Sequence, residues 1–251
     1  MLSKTQIIVL HTIKHGDNGV VVQCYSSTIG RTSLYLRVSA KNKIILSNLH
    51  RLNILDVVTY NSGSSMPTIR ELIPSVRLDS LRTNIYKSTI AIFLSELLVK
   101  CVRESEQNVQ LYNFLISSIN VLEHLEEGIS NFHIHFIVHL CKLLGFMPTD
   151  NYSEQFSVFD VEKAIFREPD HFYDSREGVL RISYEGRRVL TAQQSQLLHQ
   201  LLNTKVIDIS DIKCSGDMRL EFAKQMLDYI SCHLGISFDI KSLDILHQVF
   251  N

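Results

Sequence analysis

The sequence predicts an α+β chain. A five-stranded N-terminal barrel over residues 1–80 precedes a mainly helical domain over 81–251, which a β-rich excursion interrupts at about 156–184. Three observations carry this. Short apolar runs broken by Gly, Asn and Ser fill the first eighty residues. Near residue 80 the apolar period changes from two to about 3.6. Helical periodicity then lapses between residues 156 and 184 and returns beyond them.

Thr5–Ile13 is the first strand, and His15–Gly19 a turn. Val20–Tyr25 is the second strand, Thr28–Gly30 turns again, and Ser33–Val38 is the third. Asn53–Tyr60 and Thr68–Ile73 follow, separated by the loop Asn61–Ser65. Five short strands suit a small closed barrel. The OB-fold is one such barrel; an SH3-like barrel and a sandwich share the same period.

Helices follow at Ile85–Arg103 and Val109–Leu125. A third covers residues 131–144, with Asn131 as cap and Gly145 and Pro148 as stop. Its Phe132, Phe136, Leu140, Leu143 and Leu144 recur at helical spacing and form one apolar face. In the excursion, Phe156, Val158, Phe159, Ile165 and Phe166 precede the turn Asp174–Gly178 and the run Val179–Ile182. Thr191–Gln194 is a capping-box pattern opening a helix to about Asn203. Asp217 is placed to cap Met218–Leu234, and Ser242 to cap Leu243–Phe250.

With 251 residues, 45% hydrophobic and 20% charged, the chain has the composition of an ordinary globular protein. No apolar run reaches the ~18–20 residues of a membrane span. No basic segment followed by an apolar one marks a signal peptide at the N-terminus. The five cysteines are scattered, with no Cys-x-x-Cys pair. Buried thiols in a reducing cytoplasm are the expectation, and structural zinc is not.

No Gly-x-Gly-x-x-Gly, Gly-Lys-Ser/Thr or Gly-x-Ser-x-Gly occurs. His135 and His139 stand four apart on one helix, a spacing that can share a metal, but no carboxylate at helical spacing completes a site. Packed histidines are the expectation, with no metal and no cofactor. Adjacent acids Glu126 and Glu127, and Asp160 with Glu162, read as solvated charges.

Charge is uneven. Residues 1–80 hold nine Lys/Arg against four Asp/Glu, a balance of +5 in a chain of net charge −1. Arg31, Arg37, Lys41, Lys43 and Arg51 gather around the third strand and its following loop, with Tyr25 and Tyr35 as neighbouring aromatics. Cations beside aromatics are how single-strand binders hold backbone and bases. The plainer reading packs the tyrosines in the barrel and leaves the cations in water.

The order of several pieces resembles the RecO family of bacterial recombination mediators, in its Bacteroidetes form. These pieces are Thr5–Leu10 with the Gly30 turn, Ile90–Glu104, Leu111–Leu115, Glu127–Pro148, Asp150–Ser153, Phe159-Asp160 and Lys241–Leu243. The resemblance implies an N-terminal OB-fold, a helical second domain and no catalysis. It implies binding of single- and double-stranded DNA, strand annealing, and action with RecR in loading RecA. It further implies recognition of the acidic tail of single-strand-binding protein, at the bacterial nucleoid. The DNA contacts it implies are Arg31, Arg37, Lys41, Lys43 and Arg51, with Tyr35 for stacking. The tail pocket it implies draws on Phe93, Leu97, Lys100, Arg103 and Lys142.

Two departures stand out. Many members carry a four-cysteine zinc site after the Gly-Phe-x-Pro turn; here nothing beyond Gly145–Pro148 supplies a cysteine until Cys214. Ala40 and Asn42 also dilute the basic run after the third strand. The rivals to a DNA mediator are a protein-interaction adaptor without nucleic-acid contact, and a metal enzyme using His135 and His139.

Overall fold

A computed structural model describes residues 1–38, 45–61, 63, 66–103, 105–174, 179–183 and 188–250. The chain forms two compact units: Met1–Ile129 with Ile240–Asn251, and Ser130–Asp239.

The first unit opens with β1 (Leu2–His15), β2 (Gly19–Ser26), β3 (Gly30–Arg37), β4 (Ile54–Tyr60) and β5 (Thr68–Pro74). They close into a barrel in the order β1-β2-β3-β5-β4, with β4 returning to β1. This is the OB-fold expected above. Among the described residues, the only parallel neighbours are β3 and β5, joined over Tyr35↔Thr68 and Leu36↔Ile69. Alternation sorts the side chains. Ile7, Val9, Val22, Cys24, Leu34, Leu36, Leu55 and Val57 fill the interior, so Ile8, Tyr25, Tyr35, Ile54 and Tyr60 project from the outer face.

Part of that outer face is apolar and fully covered: Ile8, Leu10, Tyr25 and Ile54 are as buried as the core. Strand β1 therefore reads Ile7-Ile8-Val9-Leu10, a continuous apolar run rather than an alternating one. The cover is helical. After α1 (Asp79–Thr83), α2 (Ile85–Cys101) packs on β1, and α3 (Val109–His124) follows. Tyr112 of α3 donates to Gln6 Oε1 (2.6 Å) and stacks on Tyr25. Compactness thus groups these helices with the barrel, although the change of period lies at residue 80.

The caps are side chains. Asn84 accepts from Tyr86 N and Lys87 N at the start of α2, and Asn108 accepts from Leu111 N at the start of α3. The Glu123 carboxylate takes Ser80 N and Leu81 N of α1, each at 2.8 Å. The last helix of the chain, Ser242–Phe250, also belongs to this unit and runs along α2. Glu96 of α2 accepts from Lys241 N (3.2 Å), Ser242 N (3.0 Å) and Ser242 Oγ (2.5 Å). Ser242 is therefore the residue being capped rather than the cap. At the other end of that helix, Tyr86 and Phe250 meet with ring centroids 5.1 Å apart.

The second unit holds α4 (Phe132–Leu143), β6 (Val158–Asp160), β7 (Ile165–Arg167), β8 (Asp170–Asp174), β9 (Val179–Ser183), α5 (Ala192–Asn203) and α6 (Gly216–Leu234); the helix over Ser242–Phe250 is α7. The β excursion is two antiparallel pairs, β6-β7 and β8-β9. Asn131 does not cap α4; its side-chain amide instead donates to Ile209 O (3.0 Å) and Ile212 O (2.8 Å). Gly145 (φ 91°) ends α4 as expected, with Phe146 N donating to Cys141 O. The capping box at Thr191 and Gln194 forms both of its hydrogen bonds. Ser215, not Asp217, caps α6 by accepting from Met218 N. Among the described residues, no helix is long and apolar enough to cross a membrane.

Candidate nucleic-acid interface

The uncovered part of the barrel's outer face lies toward the ends of β1, β2 and β3. Register places His15, Gly19 and Arg37 in one row across these strands. The next row holds Ile13, Val21 and Tyr35, and continues through Thr68 on β5 to Tyr60 on β4. Arg37 is exposed and Tyr35 half-buried.

The Tyr35 ring lies across Gly19. A methyl group built there would come within 2.5 Å of Tyr35 Oη and 2.6 Å of His15 O. Gly19 is thus the space into which Tyr35 reclines. The His15 ring meets Tyr35 edge-on, at 6.0 Å between centroids and 87° between planes. This assembly presents an aromatic surface with a guanidinium beside it, on the strand 2–3 face where OB-folds take oligonucleotides.

Arg31 and Arg51 stand differently. Arg31 is half-buried, and its guanidinium donates to Val99 O of α2 (3.3 Å) and Gln23 Oε1 (3.4 Å). Burial lowers its pKa against the opposing influence of the Cys24 and Cys101 thiols. Arg51 donates to Leu10 O, and burial again lowers its pKa while Glu96 raises it. Arg31 thus joins the barrel to its helical cover, while Arg51 ties the segment before β4 to β1. Lys41 and Lys43 lie outside the described residues.

The sequence comparisons agree with this architecture. Residues 1–75 match the family model described as Recombination protein O N terminal, and residues 82–244 match Recombination protein O C terminal. The chain belongs to the RecO family. It is 30% identical over 256 residues to the DNA repair protein RecO of Azobacteroides pseudotrichonymphae genomovar. CFP2, with all of both chains covered. The DNA repair protein RecO of Flavobacterium johnsoniae is 28% identical over 255 residues, and that of Porphyromonas gingivalis 24% over 261, again over the whole of each chain. The chain is a DNA repair protein of this family.

The other residues singled out from the sequence of this RecO-family chain fall as follows. Phe93 and Leu97 are 0% exposed, in the interior of the first unit. Lys100 and Arg103 are exposed at the end of α2 and just beyond it. Lys142 is exposed on α4 of the second unit. His135 Nε2 engages Thr204 O (3.0 Å) and His139 Nε2 engages Leu201 O (3.2 Å), so the pair satisfies carbonyls at the end of α5. Burial pushes the His135 pKa down to about 4, with the neighbouring His139 adding to the shift. Neutral imidazoles donating N–H to carbonyls are structural groups. Among the described residues, no three His, Cys, Asp or Glu side chains converge as a metal set.

Two residues of the exposed face were not singled out from the sequence. Tyr60 ends β4 on the same outer row as Tyr35, and the Arg70 guanidinium carbon sits 5.3 Å from its ring centroid. The alternation Leu55, Val57, Thr59 inward was the available signal that Tyr60 faces outward.

Proposed function

We propose that this chain is a recombination mediator. It binds single- and double-stranded DNA on the outer face of its barrel and anneals complementary strands. With RecR it helps load RecA onto DNA coated with single-strand-binding protein, at the bacterial nucleoid. The observation that carries the reading is the side-by-side display of Tyr35 and Arg37 on the β2–β3 face. Arg37, Lys41 and Lys43 contact phosphates, and Tyr35 stacks on a base. Arg31 and Arg51 have donors committed to carbonyls, so they add to the field around the strand more than to direct contacts. Lys100 and Arg103 supply cations for an acidic partner tail.

The test is fluorescence anisotropy of a labelled single-stranded oligonucleotide at several salt concentrations, followed by an annealing assay. Affinity that falls steeply with salt, and falls further on replacing Arg37, supports the mediator. No binding even at low salt would leave the adaptor, which the commitment of Arg31 and Arg51 to internal carbonyls favours.

A further inference from the structure

We infer that Tyr60 and Arg70 form a second base-stacking station on the barrel, and that this station serves single-stranded nucleic acid and not duplex. The inference rests on the reading of the face as DNA-binding and extends it across the β3–β5 junction.

The first support is register. Tyr60 pairs with Thr68, and Thr68 with Tyr35. The two tyrosines therefore flank one small side chain on the same outer row. Neighbouring strands lie about 4.8 Å apart, so the backbones of the two tyrosines stand about 10 Å apart. Two aromatic platforms with a low threonine between them make a track rather than an isolated surface ring.

The second support is a bulge. The β4–β5 register shifts between Val58 and Thr59: Thr59 faces Ile69, Val58 faces Glu71, and Arg70 is the extra residue. Here Ile69 points into the core, so Arg70 beside it faces outward and sits over Tyr60. Tyr60 remains 40% exposed. A ring on the surface with a cation held against it offers a π-face to a base and a charge to the adjoining phosphate. Glu71, next along β5 and exposed, supplies the opposing charge that limits how far the strand continues in that direction.

Strand choice follows from the bases. In a duplex their faces are already stacked on one another, so an aromatic on a sheet can reach them only in an unpaired strand.

The experiment compares wild type, Tyr60→Ala, Tyr60→Phe, Arg70→Ala and Arg37→Ala. Probes are a labelled thymidine oligonucleotide of about 15 residues, the same strand with abasic sites, and a duplex of equal length. Tyr60→Ala is expected to weaken single-strand binding about tenfold, Tyr60→Phe to retain it, and duplex affinity to stay within about twofold. On the abasic strand, wild type and Tyr60→Ala should converge. Arg70→Ala should reduce the salt slope on single strands by about 0.7. If Arg37→Ala weakens binding while Tyr60→Ala and Arg70→Ala match wild type, the second station is wrong and the DNA-binding reading stands. Equal loss on duplex and abasic strands would assign Tyr60 to barrel integrity and overturn the inference. Wild type that binds no probe would overturn both.

Discussion

Arg31 and Arg37 lie on the same face of the same strand, yet their replacement should have opposite signatures. Arg31→Ala removes two hydrogen bonds, to Val99 O at 3.3 Å and Gln23 Oε1 at 3.4 Å. A hydrogen bond to a charged group contributes about 1.5–3 kcal/mol. These two are long, and about 1–2 kcal/mol for the pair is the appropriate scale. In a chain of this size 1 kcal/mol moves the melting midpoint by about 2–4 °C, so a drop of about 2–8 °C is expected. Arg37 is exposed, and Arg37→Ala should leave the midpoint within about 1 °C. On single-stranded DNA the order reverses: Arg37→Ala should lower the salt slope by about 0.7, and Arg31→Ala by much less. The assays are differential scanning calorimetry and anisotropy titration between low and moderate salt. A stable Arg31→Ala protein with a flattened salt slope would refute the assignment of Arg31 to the barrel–helix seam.

Three further outcomes follow from the geometry. Gly19→Ala should cost about 1–3 kcal/mol by forcing the Tyr35 ring from its seat, and should weaken oligonucleotide binding beyond that cost; thermal melting with anisotropy checks both. Glu96→Gln should loosen α7 by about 1 kcal/mol, read as faster amide exchange across residues 242–250 with the barrel strands unchanged. Burial would raise the Glu96 pKa, but hydrogen bonds from Ser242 and Lys241 outweigh it and hold it below the usual range. That stabilisation is present above the ordinary carboxylate pKa and is lost as pH falls through the depressed folded value. Burial also lowers His133 to about 3 and His135 to about 4. The unfolded chain then binds protons that the folded chain refuses, so stability should decline as pH falls from about 6.5 toward 4. A melting midpoint flat between neutral pH and pH 5 would contradict this.

The architecture was largely legible because each element carries its own signal. Asn84, Asn108 and the Thr191–Gln194 box mark helix starts, and alternation around Leu34 and Leu36 marks a half-buried strand. Cap identity failed where a side chain had a better distant partner. Asn131 is drawn to carbonyls at Ile209 and Ile212, and Ser242 is served by Glu96 from a helix far earlier in the sequence. The site was legible as a region but not residue by residue. Nothing local tells Arg31, which meets a carbonyl 68 positions away, from Arg37, which faces water. The juxtaposition of Arg70 and Tyr60 is a property of strand pairing, invisible in either strand alone.

The hold of Glu96 on α7 has a consequence in time. The helix that completes the barrel's unit is made more than a hundred residues after α3, with all of Ser130–Asp239 translated in between. At about 5–20 residues per second, the α2 surface destined for Leu243, Leu246 and Phe250 waits on the order of ten seconds for its cover. During that interval the α2 surface stays uncovered, and the intervening unit has time to fold first.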